Sequence, residues 1–349
     1  AAPLAAQQLL VPMDEAQTDH LHAYGLTWWC LEEPRGFECE WLLNYRAGAF
    51  VVPDLPDVRA RAQEMGVSVE GISQADAEAI HATIEQSNMQ RLHLTKAPKI
   101  AVYTPGYAEP WDDAVTLALT YAQVEYDTVW DRDVMGGALE KYDWLHLHHE
   151  DFTGNYGKFF STFADQAWYR RQVLASREAA GDLGFADVQA CKKAVATAIA
   201  AWVADGGFLF AMCSAADSLD IALAGQNVDL VVAPVDGTPV LPDAQQRLDF
   251  TATLAFKDFH LESNPMAPEV ADIDVSPGPG AMISEGQTFE LFEFSARQDP
   301  IPTMLTQCHA GQVADFLGQT TSFRRGALKD SVVVLGDFPG QDQSFFKKF

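Results

Sequence analysis

The chain has 349 residues, 48% of them hydrophobic, and 49 acidic side chains against 23 basic ones give a formal net charge of -26. That length and apolar content suit one large or two smaller domains with a sizeable core. The charge repels phosphate backbones and anionic membranes, which argues against nucleic-acid binding and leaves cations, neutral sugars, peptides or a basic protein patch as partners.

Apolar runs are short and broken by charges, so none approaches the roughly 18 residues of a membrane span. There is no internal repeat and no low-complexity tract. The opening Ala1-Ala2-Pro3-Leu4-Ala5-Ala6-Gln7-Gln8 has the small-residue character left by signal cleavage, and it predicts a periplasmic or extracellular mature chain with its signal peptide removed. Five cysteines cannot all pair internally. Cys30 and Cys39 flank a turn at Pro34–Gly36 and suit either a disulfide across a hairpin-like corner or two ordinary buried thiols.

In chain order, Leu9-Leu10-Val11-Pro12 is a short apolar run followed by a helical pattern over 14–31. Residues 41–45 and 49–52 read as strands about a corner at Gly48. The stretch 58–65 is helical up to Gly66, 67–69 is extended, and 74–85 is helical with Ser73 as its cap. Residues 1–95 therefore form a small N-terminal α/β unit, with the boundary to the 96–349 domain inside 87–98.

The second region alternates strands and helices. Strands are expected at 99–104, 126–130, 144–149, 208–213 and 228–233, with helices at 111–124, 187–204 and 214–224. Such alternation implies right-handed crossovers and a doubly wound, mainly parallel sheet, with ligands outside the carboxyl ends of its strands. Stretches 254–261, 289–294, 304–309 and 332–335 read as strand-like elaborations of that sheet, and 276–286 as a mobile loop.

Cys213 ends an apolar strand and stands directly before a helix. That location presents its sulfur to the helix amides, which favour thiolate over thiol. The strand-turn-helix elbow of hydrolases uses the same device, with glycines where Ala211 and Ala215 stand here. A nucleophilic cysteine needs a base. His148 and His149 end the preceding strand, with Glu150 or Asp151 to orient an imidazole, and His309 is a second candidate. Strand alternation sends His146 and His148 to one face and His149 elsewhere. Cys213, His148, Cys308 and His309 form an alternative zinc-type ligand set without CxxC or HExxH spacing. Trp111, Asp112, Asp113, Asp151, Ser214 and Asp217 lie where a substrate at this edge would meet them, although acidic residues in a first turn also serve the helix itself. No GxxxxGK[ST], GxGxxG or pyrophosphate loop occurs, so no cofactor is expected.

Longer words in the chain resemble an exported, Bacteroidetes-type bacterial family often labelled asparagine synthetase B. They are Val11-Pro12-Met13-Asp14, Trp41-Leu42-Leu43-Asn44-Tyr45-Arg46, Pro110-Trp111-Asp112-Asp113-Ala114, Asp143-Trp144-Leu145-His146-Leu147-His148-His149-Glu150-Asp151-Phe152-Thr153-Gly154, Phe210-Ala211-Met212-Cys213-Ser214 and Gly318-Gln319-Thr320-Thr321-Ser322-Phe323. The resemblance implies a flavodoxin-like sheet of the class I glutamine amidotransferase or trehalose-utilisation-protein kind, with Cys213 at the nucleophile position. Authentic asparagine synthetases of that name use an amino-terminal cysteine and an ATP-binding domain, and neither is present here. The family's Gly-Gly-His-Asp segment, which would supply a triad histidine, is absent from this sequence. The expectation is an exported amidotransferase-like hydrolase acting on an amide or ester. The alternatives are a metal-dependent hydrolase, or a carbohydrate- or peptide-binding or surface-assembly protein using aromatics such as Trp111, Tyr156 and Trp168.

Overall fold

The computed structural model describes residues 8–108, 113–267, 269–274, 288–291, 312–314, 323–334, 336–337, 343–344 and 347–348. Contacts divide the chain into two units, one of residues 1–98, 109–125 and 291–311 and another of 99–108, 126–290 and 312–349.

In the first unit, strands β1 (Gln8–Val11), β2 (Cys39–Leu43), β3 (Ala49–Pro53), β4 (Glu70–Ile72) and β5 (Gln90–Leu94) form an antiparallel sheet of order β4-β1-β3-β2-β5. Side-chain alternation explains why so short a sheet is held on both faces. Leu9, Val11, Phe50 and Val52 pack with helices α1 (His20–Leu31) and α2 (Pro56–Glu64), while Leu10, Ala49 and Val51 pack with Ala77 and Ile84 of α3 (Gln74–Gln86). Ser73 caps α3 in a reciprocal capping box with Asp76, as its position before the helical pattern predicts.

One expectation is corrected in this unit. Helix α1 starts at His20 rather than near 14, because Asp19 accepts the His22 amide at 3.0 Å and stops the chain from winding earlier. The stretch 67–69, read as extended, leads into the strand β4 at Glu70–Ile72. The opening segment of this unit runs to residue 98, within the boundary stretch 87–98, and that stretch also holds β5, whose Leu92 pairs with Trp41 and whose Arg91 and His93 hid a strand at a sheet edge. Helix α4 (Ala114–Ala122) belongs to the first unit and meets α1 closely, for a Cβ at Gly25 would stand 1.8 Å from the Ala122 carbonyl oxygen. Cys30 and Cys39 are both thiols, side by side and buried. Their hydrogen bond and the burial push the Cys30 thiol far up from its ordinary value.

In the second unit, β6 (Ile100–Tyr103), β7 (Asp127–Val129), β8 (Trp144–Leu147) and β9 (Phe208–Ala211) are all parallel, in the order β7-β6-β8-β9. Helices α5 (Asp131–Met135), α6 (Phe160–Phe163), α7 (Ala167–Asp182), α8 (Val188–Ala204) and α9 (Ser214–Ala224) make the crossovers and flank the last strand. Ala101, Tyr103, Leu145 and Leu147 share a face and pack with Val195 and Ile199 of α8 and Leu219 of α9. Helix α7 is much more polar than α8, and its buried positions, Tyr169, Ser176, Ala179 and Ala180, form no apolar run legible in the sequence.

A fifth parallel strand at 228–233 does not form. The Asn155 side chain takes a neighbouring strand's place, donating to the Leu230 carbonyl and accepting from the Val232 amide, each at 2.9 Å. Gln189 accepts the Leu230 amide at 2.9 Å. The 254–261 stretch likewise holds only isolated bridges, Phe256 to Leu328 and Leu261 to Ala271. Further on, β10 (Thr288–Leu291) pairs antiparallel with β11 (Gln312–Ala314). The 276–286 and 304–309 stretches lie outside the described residues.

Candidate functional site

β8 and β9 end side by side, with Leu147 opposite Ala211. Beyond that pair the two chains remain laced together. The Met212 amide donates to the Leu147 carbonyl at 3.0 Å, the Ala215 amide to the His148 carbonyl at 3.1 Å, and Ser214 Oγ to the His149 carbonyl at 2.8 Å. These bonds fasten both residues after Cys213 to the two histidines' own backbone.

Cys213 occupies the N-cap position of α9 with φ 48° and ψ -141°. A residue with a Cβ avoids this region, which costs about 1–3 kcal/mol and survives only where its surroundings fix it. The turn brings strand and helix into near contact, so the residues beside it must be small. Ala215 is fully buried within the core that α8 and α9 share. Cys213 itself is half-buried; the Ala215 amide is taken by the His148 and Met212 carbonyls and the Ala216 amide by the Cys213 carbonyl, which leaves the Ser214 amide to open the helix.

The His148 and His149 rings stack with centroids 3.7 Å apart. Alternation does not separate them, because the strand ends at Leu147 and the chain turns there. His146 lies within the strand, fully buried and stacked on Phe210 at 5.6 Å. Glu150 turns back so that Oε2 accepts the His148 backbone amide at 3.0 Å.

The acidic candidates, and Asp220 beside them on α9, mostly organise backbone. Asp151 accepts the Thr153 amide and hydroxyl, both at 2.6 Å, and the Gly157 amide at 2.7 Å. Asp220 accepts the amides of Leu254, Ala255 and Phe256 within 2.8 Å. Asp217 is buried in the first turn of α9. Asp113 caps α4 in the first unit through the Val115 and Thr116 amides. Trp111, Asp112, Cys308 and His309 lie outside the described residues.

A buried ionic group was missed. Tyr103 ends β6, Asp131 follows β7, and Lys192 reaches both from α8 at 2.9 Å while lying 3.9 Å from the Trp130 ring centroid. Tyr103 also donates to Asp131 Oδ1. Burial, then the Asp131 charge, raises the Tyr103 phenol well above its usual range. The signal lay in Cys191-Lys192-Lys193-Ala194, two lysines inside an otherwise apolar helix with no acid one turn away.

Searches of protein-family models, curated proteins and solved structures return no match to this chain.

Proposed function

We propose that the chain is an amidotransferase-like hydrolase on a flavodoxin-like frame, with Cys213 as nucleophile toward an amide or ester carbonyl. The observation that carries the reading is the left-handed backbone of Cys213 at the β9–α9 turn, the strained elbow that lifts a nucleophile above a sheet. The helix behind it favours the thiolate. Sulfur attacks the carbonyl carbon, a C–S bond forms, and the Ser214 amide at the start of α9 donates to the oxyanion. The C–N or C–O bond then breaks while an imidazolium of the His148–His149 pair gives its proton to the leaving group. Water, deprotonated by the same imidazole, attacks the thioester and releases the acid and the thiolate. Glu150, whose Oε2 accepts the His148 backbone amide, braces the turn that carries the pair.

The test is the rate of Cys213 alkylation by iodoacetamide against pH, read by peptide mass spectrometry on folded protein. Fast reaction with a midpoint well below about 8.5 supports the reading. Slow reaction at every pH refutes it, as does p-nitrophenyl acetate or L-glutamine turnover that survives Cys213→Ala.

A further inference from the structure

The loop after β8 has an uncommon backbone. Gly154, Tyr156, Gly157 and Lys158 all have positive φ, at 87°, 52°, 61° and 54°. For tyrosine and lysine this conformation is disfavoured by their Cβ atoms, and it persists only where neighbouring groups over-determine it. Three buried side chains do so. Asp151 holds the Gly157 amide, Asn155 grips the 230–232 backbone, and Lys158 Nζ donates to the carbonyls of Glu262, Asn264 and Glu269 at 2.8, 3.2 and 2.7 Å. Gly154 is required where it stands, since a Cβ would lie 3.1 Å from Gln189 Cα as well as at an unfavourable φ.

This bracing fixes Tyr156 in the wall of a cavity of about 350 Å³. The residue is only 7% exposed, its ring meets Tyr169 edge-on at 6.0 Å, and its hydroxyl makes no hydrogen bond among the described residues. Arg177 of α7 lines the same cavity. Arg132 and Arg170 are paired with Asp182 and Asp165, but Arg177 has neither an ion pair nor a hydrogen bond among the described residues. Asp187, the cap of α8, also lines it and spends Oδ1 on the Ala190 amide, leaving Oδ2 for another donor. Phe185, Val188, Val231 and Val235 supply apolar wall.

A cation and a phenol donor, the Asp187 carboxylate beside an Asp236 whose oxygens already accept from Thr238, and an apolar wall together match a molecule carrying both charges and a hydrocarbon side chain. A plain anion fits less well, because the chain's charge of -26 repels it while a zwitterion has no net charge to repel. We propose that this cavity binds a free α-amino acid with an apolar side chain. Its carboxylate meets Arg177 and the Tyr156 hydroxyl, and its ammonium meets Asp187. Cys213 does not line the cavity, so the inference stands apart from the hydrolase reading.

Calorimetric titration of the full chain tests it with L-leucine, N-acetyl-L-leucine and L-leucinamide. The expected result is saturable one-to-one binding of L-leucine, weakened about tenfold or more when either charge of the ligand is blocked. Arg177→Gln should lose a similar factor and Tyr156→Phe less. Both variants should fold, since Arg177 is exposed and unpaired and phenylalanine keeps the ring; circular dichroism checks this. Absence of saturable binding to the wild-type chain up to about 10 mM L-leucine overturns the proposal. So does equal affinity for L-leucinamide, or binding unchanged by Arg177→Gln.

Discussion

In the antiparallel unit, Arg46 meets Asp14 and Glu70, each at 2.7 Å, and solvent reaches all three side chains. In the parallel unit, Lys192 meets Asp131 at 2.9 Å with both almost completely buried. The contrast follows from sheet topology. Antiparallel strands satisfy one another's amides and carbonyls within the ladder, so their unit can leave its charges outside. Parallel strands need long crossovers, and the loops that open them carry amides and carbonyls with no ladder partner. Asp151, Asn155, Lys158 and Asp220 are spent on such groups. Polar burial in this protein therefore concentrates in the loops and helices serving the parallel sheet, where the half-buried cysteine and the cavity also lie.

The largest effect expected from breaking this contrast is at Asp131. Replacing it by alanine leaves Lys192 buried without its counter-charge and should cost about 3–5 kcal/mol in denaturant unfolding. The triple replacement Tyr103→Phe, Asp131→Leu, Lys192→Met should cost much less than Asp131→Ala, because no polar atom is then orphaned. A triple variant less stable than the single one would show that packing, not charge, holds this group.

Asn155→Ala comes next. It strips a donor from the Leu230 carbonyl and an acceptor from the Val232 amide, at an expected cost of about 3 kcal/mol. Hydrogen exchange should quicken first at Val232, and unchanged protection there would mean the side-chain bracket is dispensable.

Two titrating groups, the half-buried Glu269 and the buried Lys193, sharpen the comparison through pH. Burial and the Asp274 charge push the Glu269 carboxyl up to about 7, so between about 4.5 and 7 the folded state holds more protons than the unfolded one. Stability should fall as pH rises through that window, and Glu269→Gln should remove the slope. Burial pulls Lys193 down to about 8, so the unfolded state holds more protons between about 8 and 10.5. Stability should rise with pH there, and Lys193→Met should flatten the rise. Slopes of the opposite sign in the wild-type minus variant difference would contradict these assignments.

The smallest effect belongs to the antiparallel unit. Arg46→Gln should change stability by about 1 kcal/mol at most, and less at high salt. A larger loss would place Arg46 with the buried group rather than the surface one.

The strands with continuous apolar runs, such as Ile100–Tyr103 and Phe208–Ala211, were legible because buried parallel strands need nothing but hydrophobicity. The Ser73 cap and the Cys213 turn were legible because each depends on neighbours in sequence. β5 escaped because an edge strand tolerates charge, and the missing fifth strand escaped because an amide 75 residues away does a strand's work. The cavity was invisible for the same reason, since Tyr156, Arg177 and Asp187 meet only after the long crossover has folded.

A backbone at φ 48° and ψ -141° suits glycine better than any residue with a side chain. Cys213 thus occupies a position where a simpler residue would fold more easily. A library of this gene sorted for heat resistance alone would drift toward glycine at 213, and one sorted for sulfur chemistry would resist that drift. Running both sorts in parallel would therefore separate endurance from reactivity at a single codon.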